Sequence, residues 1–500
     1  MRVIFSGSLS DEAVGLASRV ADLLTDDDCG IEVRAWFSSE MTDYSPEGHS
    51  ENLAWDSLEA YQLERRKFSR RTLNSYRQFI SRSDYSEFFS LAIKLLNRRD
   101  FTGTFRMLER EVVLQHSVLV AIEYFSETKP DLVVFPVTPH LFMPKVANYV
   151  CICLGIPVLY FQPCPLAPAV FPIIQSATGE RLVTIPPAVS LKEEVLSIAA
   201  QELSSLKSLK DPSYMRIQRG RDIELRRNRK RLRSALLSLR WLKTRRYAQS
   251  VDFSGFGGNK TFFWRALRII LNRKLQAELS GKARSVCTSI EPGKRYCLFA
   301  LHYEPERTSL PEGLPILFQA DAVAVARAII PAEVSLIVKE HYSQISSALR
   351  GFLGRSPQMY DLLNSYSNLQ FAQVEGYLSD LIDGADCVFT LTGTIAIESA
   401  FRGVPVGYFG KPWWEGMPGT THVGQEASFK DITEVSSPDP NEVFEFLMEH
   451  IRLNAIVGLG SEPLRTVGAR LGPLPETLHE DEARAVAGVI KNIPAQDQLD

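Results

Sequence analysis

The chain has no run of ~20 uncharged apolar residues, the length that a membrane-spanning helix requires. The best stretch, from Leu141 to Phe161, is interrupted by Pro144, Lys145, Asn148 and Pro157. The opening Met1-Arg-Val-Ile-Phe5 is too short an apolar run for a signal peptide. Cysteine is sparse: seven residues, at 29, 151, 153, 164, 287, 297 and 387, without paired metal-ligand spacing. Cys151 and Cys153 lie in an apolar stretch, which favours packing over ligation. Thiols scattered in this way fit a reducing cytosol. Neither sign of charge dominates, since 56 Lys and Arg against 59 Asp and Glu leave a net charge of −3. That balance alone argues neither for nor against nucleic acid.

What is present is ordinary globular composition, 45% hydrophobic and 23% charged, in 500 residues. That length exceeds a single hydrophobic core and implies two or three domains. Apolar runs that read as buried strands alternate with helical periodicity, first through Arg2–Phe5, Ile31–Phe37, Asp131–Phe135 and Ile156–Tyr160. A long charged helical region is expected from about Trp55 to Tyr124, with breaks near Asp84 and Thr102. Residues 163–175 are rich in proline and read as a loop, either shaping a site or simply crossing over. The alternation restarts at Tyr296–Leu301 and continues through Val334–Lys339, Leu369–Gln373, Cys387–Leu391 and Val404–Phe409. Helices are expected between them, at Leu317–Ile329, Gln344–Phe352 and Thr394–Arg402. The pattern predicts two α/β, Rossmann-like domains with inserted helices. The expected boundaries are 1–285, 286–475, and a C-terminal helix and tail at 476–500 that could return to the first domain.

Between 216 and 246 the chain changes character. Arg226, Arg227, Arg229, Lys230 and Arg231 crowd a stretch that carries Leu232, Leu236, Leu239 and Trp241 at helical spacing. A basic amphipathic helix has two readings: a solvated face packed on the protein, or attraction to an anionic membrane surface. Nucleic acid is not expected, because no aromatic platform is interleaved with these charges. The expected location is cytoplasmic, with peripheral attachment to the inner face of the plasma membrane as an option.

The chemistry-bearing residues gather just past strand ends, where open α/β sheets bind ligands. Lys339 and His341 follow one apolar run, and Thr392-Gly393-Thr394 follows another. The Thr-Gly-Thr turn opens a helix whose first amides suit a phosphate. A lysine and a histidine beside it would supply positive potential and stabilise a departing phosphate. Glu398 lies one turn along from Thr394, placed to accept ribose hydroxyls or to serve as an ordinary carboxylate at a helix start. Glu304 and Glu306 flank a proline in Leu301-His-Tyr-Glu-Pro-Glu-Arg-Thr308, where they could act as base or nucleophile, bind hydroxyls, or merely be solvated. In the first half, Ser6–Ser8 and Thr138–His140 end strands and are candidates for the acceptor-side catalytic residue.

These segments, together with Arg402-Gly-Val-Pro-Val406 and Phe409-Gly410, resemble the bacterial capsular-polysaccharide biosynthesis family. Its members include transferases of 3-deoxy-octulosonic acid (Kdo). The resemblance covers about residues 294–425 closely and the first half by general layout. It implies a GT-B architecture, two Rossmann-like domains facing across a cleft, with the sugar nucleotide on the second and the acceptor mainly on the first. Similar His-containing and Ser/Thr-rich motifs bind the CMP moiety in bacterial sialyltransferases. The chain departs from the family at two positions: Glu304 stands where Gln is usual, and Tyr342 where Pro is usual.

The expectation is a glycosyltransferase of surface-glycan biosynthesis, capsule or lipopolysaccharide. It would transfer Kdo or a related acidic sugar from a CMP donor to a glycan or glycolipid. The catalytic candidates are Glu304, Glu306 and His341. The nucleotide-sugar candidates are Lys339, His341, Thr392, Gly393, Thr394, Glu398 and Thr308. No cofactor or metal is expected. A UDP-sugar 2-epimerase-like or glycerol-phosphate polymerase-like enzyme, and a non-catalytic adaptor of a capsule assembly complex, are the alternatives.

Overall fold

The computed structural model describes residues 1–8, 10–26, 30–38, 53–55, 67–99, 106–207, 262–291, 293–346, 349–435, 437–460, 462 and 464–493. The basic stretch 216–246 lies outside the described residues. The rest falls into two compact units, 1–199 with 450–493, and 200–207 with 262–449.

The first unit is built on five parallel strands: β1 (Arg2–Ser8), β2 (Glu32–Ser38), β3 (Leu53–Trp55), β4 (Leu132–Phe135) and β5 (Val158–Pro163). Their spatial order is β5-β4-β1-β2-β3. Val3, Ile4 and Phe5, and Leu132 to Phe135, are buried without alternation, as expected of a sheet covered on both faces. On β5 lies an antiparallel strand, β6 (Ala169–Ser176), which pairs with β7 (Gly179–Leu182) and with a short strand at Ile456–Val457. The proline-rich stretch is therefore largely strand rather than loop. Val170, Phe171 and Ile174 are buried there. Their burial outweighs the one ladder donor that Pro172 lacks. A second correction concerns Leu53–Trp55, which pairs with β2 instead of opening a helix. Helices occupy Arg70–Ile80, Tyr85–Arg99 and Met107–Thr128.

The second unit carries β8 (Tyr296–Ala300), β9 (Ser335–Lys339), β10 (Leu369–Phe371), β11 (Val388–Thr390), β12 (Val406–Tyr408) and β13 (Thr420–His422). All are parallel, in the order β10-β9-β8-β11-β12-β13. Counted from the first strand of each unit, both sheets follow the Rossmann order, 3-2-1-4-5-6 in the second and 3-2-1-4-5 in the first. The molecule is an α/β protein of two Rossmann-like units. The order reverses between β1 and β4 and between β8 and β11, and ligands bind at such reversals. Instead of one helix over Gln344–Phe352, there is a four-residue helix at Tyr342–Ile345 and a 3-10 turn at Gly351–Leu353. Among the described residues, no helix is long and apolar enough to cross a membrane.

The helix Leu478–Lys491 packs on the helix Asp11–Asp26 within the first unit, through Ala483, Val486, Ala487 and Ile490. This packing buries Glu482, whose Oε1 accepts the Leu459 amide at 2.8 Å. Burial pushes the Glu482 carboxyl up to about 7, against the opposing pull of that amide and of Arg19. The fold thus prefers the neutral acid. Its contribution to stability is complete below the unfolded pKa, near 4.5, and is lost as pH rises through about 7. The difference amounts to roughly 3 kcal/mol. Glu482→Gln keeps the acceptor and removes the charge. We expect it to raise the melting temperature at pH 8 and to leave it unchanged near pH 4.5. Thermal melts at both pH values test this, and parallel wild-type and variant curves would refute it.

Candidate functional site

The loop leaving β8 and the turn leaving β11 meet at the order reversal of the second sheet. His302 joins them. Its Nε2 accepts the Thr392 amide at 3.2 Å and lies 3.0 Å from the Thr390 hydroxyl. An amide can only donate, so Nε2 carries a lone pair and the neutral ring holds its proton on Nδ1. That proton faces Thr308 Oγ1 at 3.4 Å, and the Thr308 hydroxyl faces the Glu306 carboxylate at 3.3 Å. Thr390 Oγ1 also accepts the Gly393 amide at 3.3 Å. Burial, aided by the Arg355 charge, lowers the His302 pKa to about 4, so the ring is neutral at pH 7. A Cβ on Gly393 would sit 2.8 Å from Thr390 Oγ1 and 3.2 Å from His302 Nε2, so any side chain there would wedge the network open.

Residues 302–304 have left the sheet, and their backbone groups need other partners. Two glutamines supply them. Gln319 accepts from the His302 amide at 2.7 Å and donates to its carbonyl at 3.2 Å. Gln344 does the same for Glu304, at 2.8 and 3.0 Å. Each side-chain amide stands in for a neighbouring strand. Gln344 is wholly buried in this task, which explains why the chain around it does not continue as a helix. Between the clamps lies Arg355, whose side chain is 0% exposed. Its guanidinium donates to the His302 carbonyl at 2.6 Å and lies 3.1 Å from the Glu340 carboxylate and 3.5 Å from that of Glu304. Tyr360 donates to Glu340 at 2.6 Å, and the His341 amide donates to it at 2.7 Å. Burial pushes the Glu340 carboxyl up, although Arg355 and Tyr360 pull the other way. Gly354 presses on this cluster, where a Cβ would lie 2.3 Å from that of Glu304.

Of the other residues singled out from the sequence, Thr392 belongs to this network, while Lys339 donates to carbonyls elsewhere. Thr392 donates its hydroxyl to the Thr308 carbonyl at 2.7 Å. Thr394 precedes a helix that spans only Ile395–Ala400. The amides of Thr392 and Gly393 are used internally. Among the described residues, no acceptor meets the amides of Thr394 and Ile395. His341 caps the helix Tyr342–Ile345, with Nδ1 accepting the Ser343 amide at 3.2 Å. Its neutral ring therefore bears the proton on Nε2, a donor. Lys339 is buried, and its ammonium donates to the carbonyls of Gln373 and, at 2.7 Å, Val374. The charge thus anchors the loop after β10. Glu398 is 9% exposed, which removes the plain reading of a solvated surface carboxylate. Glu304 is turned inward onto Arg355, whereas Glu306 is exposed. The sequence reading passed over His302, Gln319, Glu340, Gln344 and Arg355. His302 and Glu340 carried a signal, polar residues one or two positions past an apolar run; the other three carried none.

In the first unit, Ser6 lies buried in β1. Thr138 and His140 follow β4, so both candidate segments flank the reversal in that sheet. His140 Nδ1 donates to the Thr138 carbonyl at 2.9 Å, which leaves Nε2 of the neutral ring as an acceptor.

No protein-family model matches the chain, and no curated protein matches it. Solved structures do. A KpsC β-Kdo 2,7 transferase of Thermosulfurimonas dismutans is similar at 15% identity, over 37% of this chain and 55% of that one, with a TM-score of 0.24. UDP-GlcNAc 2-epimerase from Neisseria meningitidis is similar at 10% identity, over 98% and 100%, with a TM-score of 0.21. The glycosyltransferase SnogD from Streptomyces nogalater is similar at 12% identity, over 90% and 94%, with a TM-score of 0.19. The chain spans about half the length of the KpsC structures it matches, 55%. At these identities and TM-scores, none of the likenesses assigns an activity.

Removing one partner of a buried charge cluster strands the others, typically at a cost of ~3–5 kcal/mol. Arg355→Ala is expected to destabilise by that order, since Glu304 and Glu340 would lose their cation. Adding Glu304→Gln and Glu340→Gln to Arg355→Met should recover much of the loss. Denaturant unfolding of the three proteins decides it. An Arg355→Ala protein as stable as the wild type would show that the cluster contributes nothing.

Proposed function

We propose that the second unit binds a sugar nucleotide at the reversal between β8 and β11, and that the protein transfers the sugar to a surface glycan or glycolipid. The two Rossmann-like units are then the halves of a GT-B transferase, with the acceptor on the first. One observation carries the reading: Glu306, Thr308, Thr392 and Gly393, scattered in sequence, share one hydrogen-bond network where a Rossmann sheet takes its ligand. In this reading the amides of Thr394 and Ile395 and the Nε2 donor of His341 meet the phosphate. Glu398 accepts from the ribose. Glu306 faces the sugar or its acceptor, and Lys339 and Glu304 hold the loops.

The charges favour a donor with a single phosphate, such as a CMP-linked acidic 3-deoxy sugar of the Kdo kind. Lys339 is spent on carbonyls, Arg355 on two carboxylates, and Arg307 on Glu312 at 3.3 Å. His302 is neutral. A diphosphate would bring a second negative charge, and none of these four offers an uncommitted cation to meet it.

Melting in the presence of CMP, UDP, GDP and CDP tests the assignment, because a ligand at 100 times its Kd stabilises by about 2.7 kcal/mol. CMP is expected to raise the melting temperature most. His341→Ala should weaken CMP binding by ~1.5–3 kcal/mol, the worth of a hydrogen bond to a charged group. Glu398→Gln should weaken CMP but spare inorganic phosphate. Release of free CMP from a CMP-sugar only when a glycan acceptor is added would mark transfer. No stabilisation by any of the four nucleotides would sink the proposal.

For residues 216–246, we propose salt-sensitive attachment to anionic membrane, which would bring the enzyme to lipid-linked acceptors. Sedimentation with anionic vesicles should weaken as salt shortens the Debye length from ~10 Å at 0.1 M to ~3 Å at 1 M. Replacing Arg226, Arg227, Arg229, Lys230 and Arg231 by Gln should abolish it. Equal pelleting with neutral vesicles would leave the segment a structural role only.

A further inference from the structure

We infer that His302 is a positioning residue of the second unit's site, its imidazole accepting at Nε2 from the turn after β11 and donating at Nδ1 to the loop after β8. The inference rests on the nucleotide-binding reading of that site. Every donor in the network runs one way. The Thr392 amide and the Thr390 hydroxyl give to Nε2, Nδ1 gives to Thr308, and the Thr308 hydroxyl gives to Glu306. The chain of donors therefore starts at the turn after β11 and ends on an exposed carboxylate. Its effect is to occupy the amides of Thr392 and Gly393 and so to fix the turn. The next two amides, of Thr394 and Ile395, are then the pair presented to a ligand.

Protonating His302 would set an N–H of the ring against the N–H of Thr392 and expel the turn. The surroundings oppose that charge. The ring is buried, and Arg355 donates to the carbonyl of the same residue. Three carboxylates also face this region. Glu304 and Glu340 are taken up by Arg355, and Glu306 reaches the ring only through Thr308. The other tautomer fails as well, because a proton on Nε2 would meet the same amide. Ring shape matters less than the pair of functions, an acceptor toward Thr392 and a donor toward Thr308. A glutamine side chain offers both.

The test has two arms. Nitrogen-15 spectra of histidine-labelled protein, compared with His302→Gln, isolate one ring among the eight histidines. That ring should show a protonated Nδ1 and an unprotonated Nε2 and should not titrate between pH 5 and pH 8. A ring that titrates near the ordinary histidine value, or holds its proton on Nε2, overturns the inference whatever the protein binds. The second arm is nucleotide affinity by calorimetry. His302→Phe should bind at least tenfold more weakly, a loss of about 1.4 kcal/mol. His302→Gln should stay close to wild type. Equal affinity for all three proteins would refute the positioning role. A wild type that binds no nucleotide would instead refute the functional reading, leaving the spectra to judge the ring.

Discussion

The second unit depends on how the backbone just past β8 is satisfied. Strand pairing ends at Ala300, yet residues 302–304 remain buried or half-buried and carry peptide groups that cannot go unpaired. Gln319, Gln344 and Arg355 take over from the sheet, and each comes from a different segment. The site is therefore a place where three segments share one set of hydrogen bonds with the loop after β8. Loss of any contributor would release the loop that carries His302, Glu304 and Glu306.

The same solution shapes the electrostatics. A guanidinium that bonds a buried carbonyl brings a charge into the interior, and that charge needs carboxylates. Glu304 and Glu340 provide them. One consequence is that the Glu304 carboxylate serves Arg355 inside the protein. A second is that the cations most legible in the motifs are committed to protein groups. Under the proposed function, the phosphate is then left to amide and imidazole donors.

Much of the fold was legible because burial writes itself into sequence. Parallel strands covered on both faces must be apolar throughout, so Val3–Phe5, Leu132–Phe135, Leu336–Val338 and Val388–Phe389 stood out. Less visible was β6, since Pro172 and the prolines just before the strand resemble a loop and only pairing with β5 shows otherwise. The short helix at Tyr342–Ile345 was misjudged as a longer one because Gln344 looks like a good helix former when its destination is unknown. Among site residues, those just past a strand end were visible, whereas Gln319 and Arg355 lie on ordinary-looking helical or loop sequence.

The sequence by itself determined the Rossmann-like alternation and the placing of polar clusters at strand ends. Both follow from local rules, hydrophobic period and chain order. Only the tertiary structure decided which polar groups face one another. Lys339 went to carbonyls and Glu304 to Arg355, while His302 became the link between two loops. Those choices depend on partners roughly 35 to 90 positions away. Nothing in a local pattern records such a distance, because a hydrogen bond constrains geometry in space and not spacing along the chain.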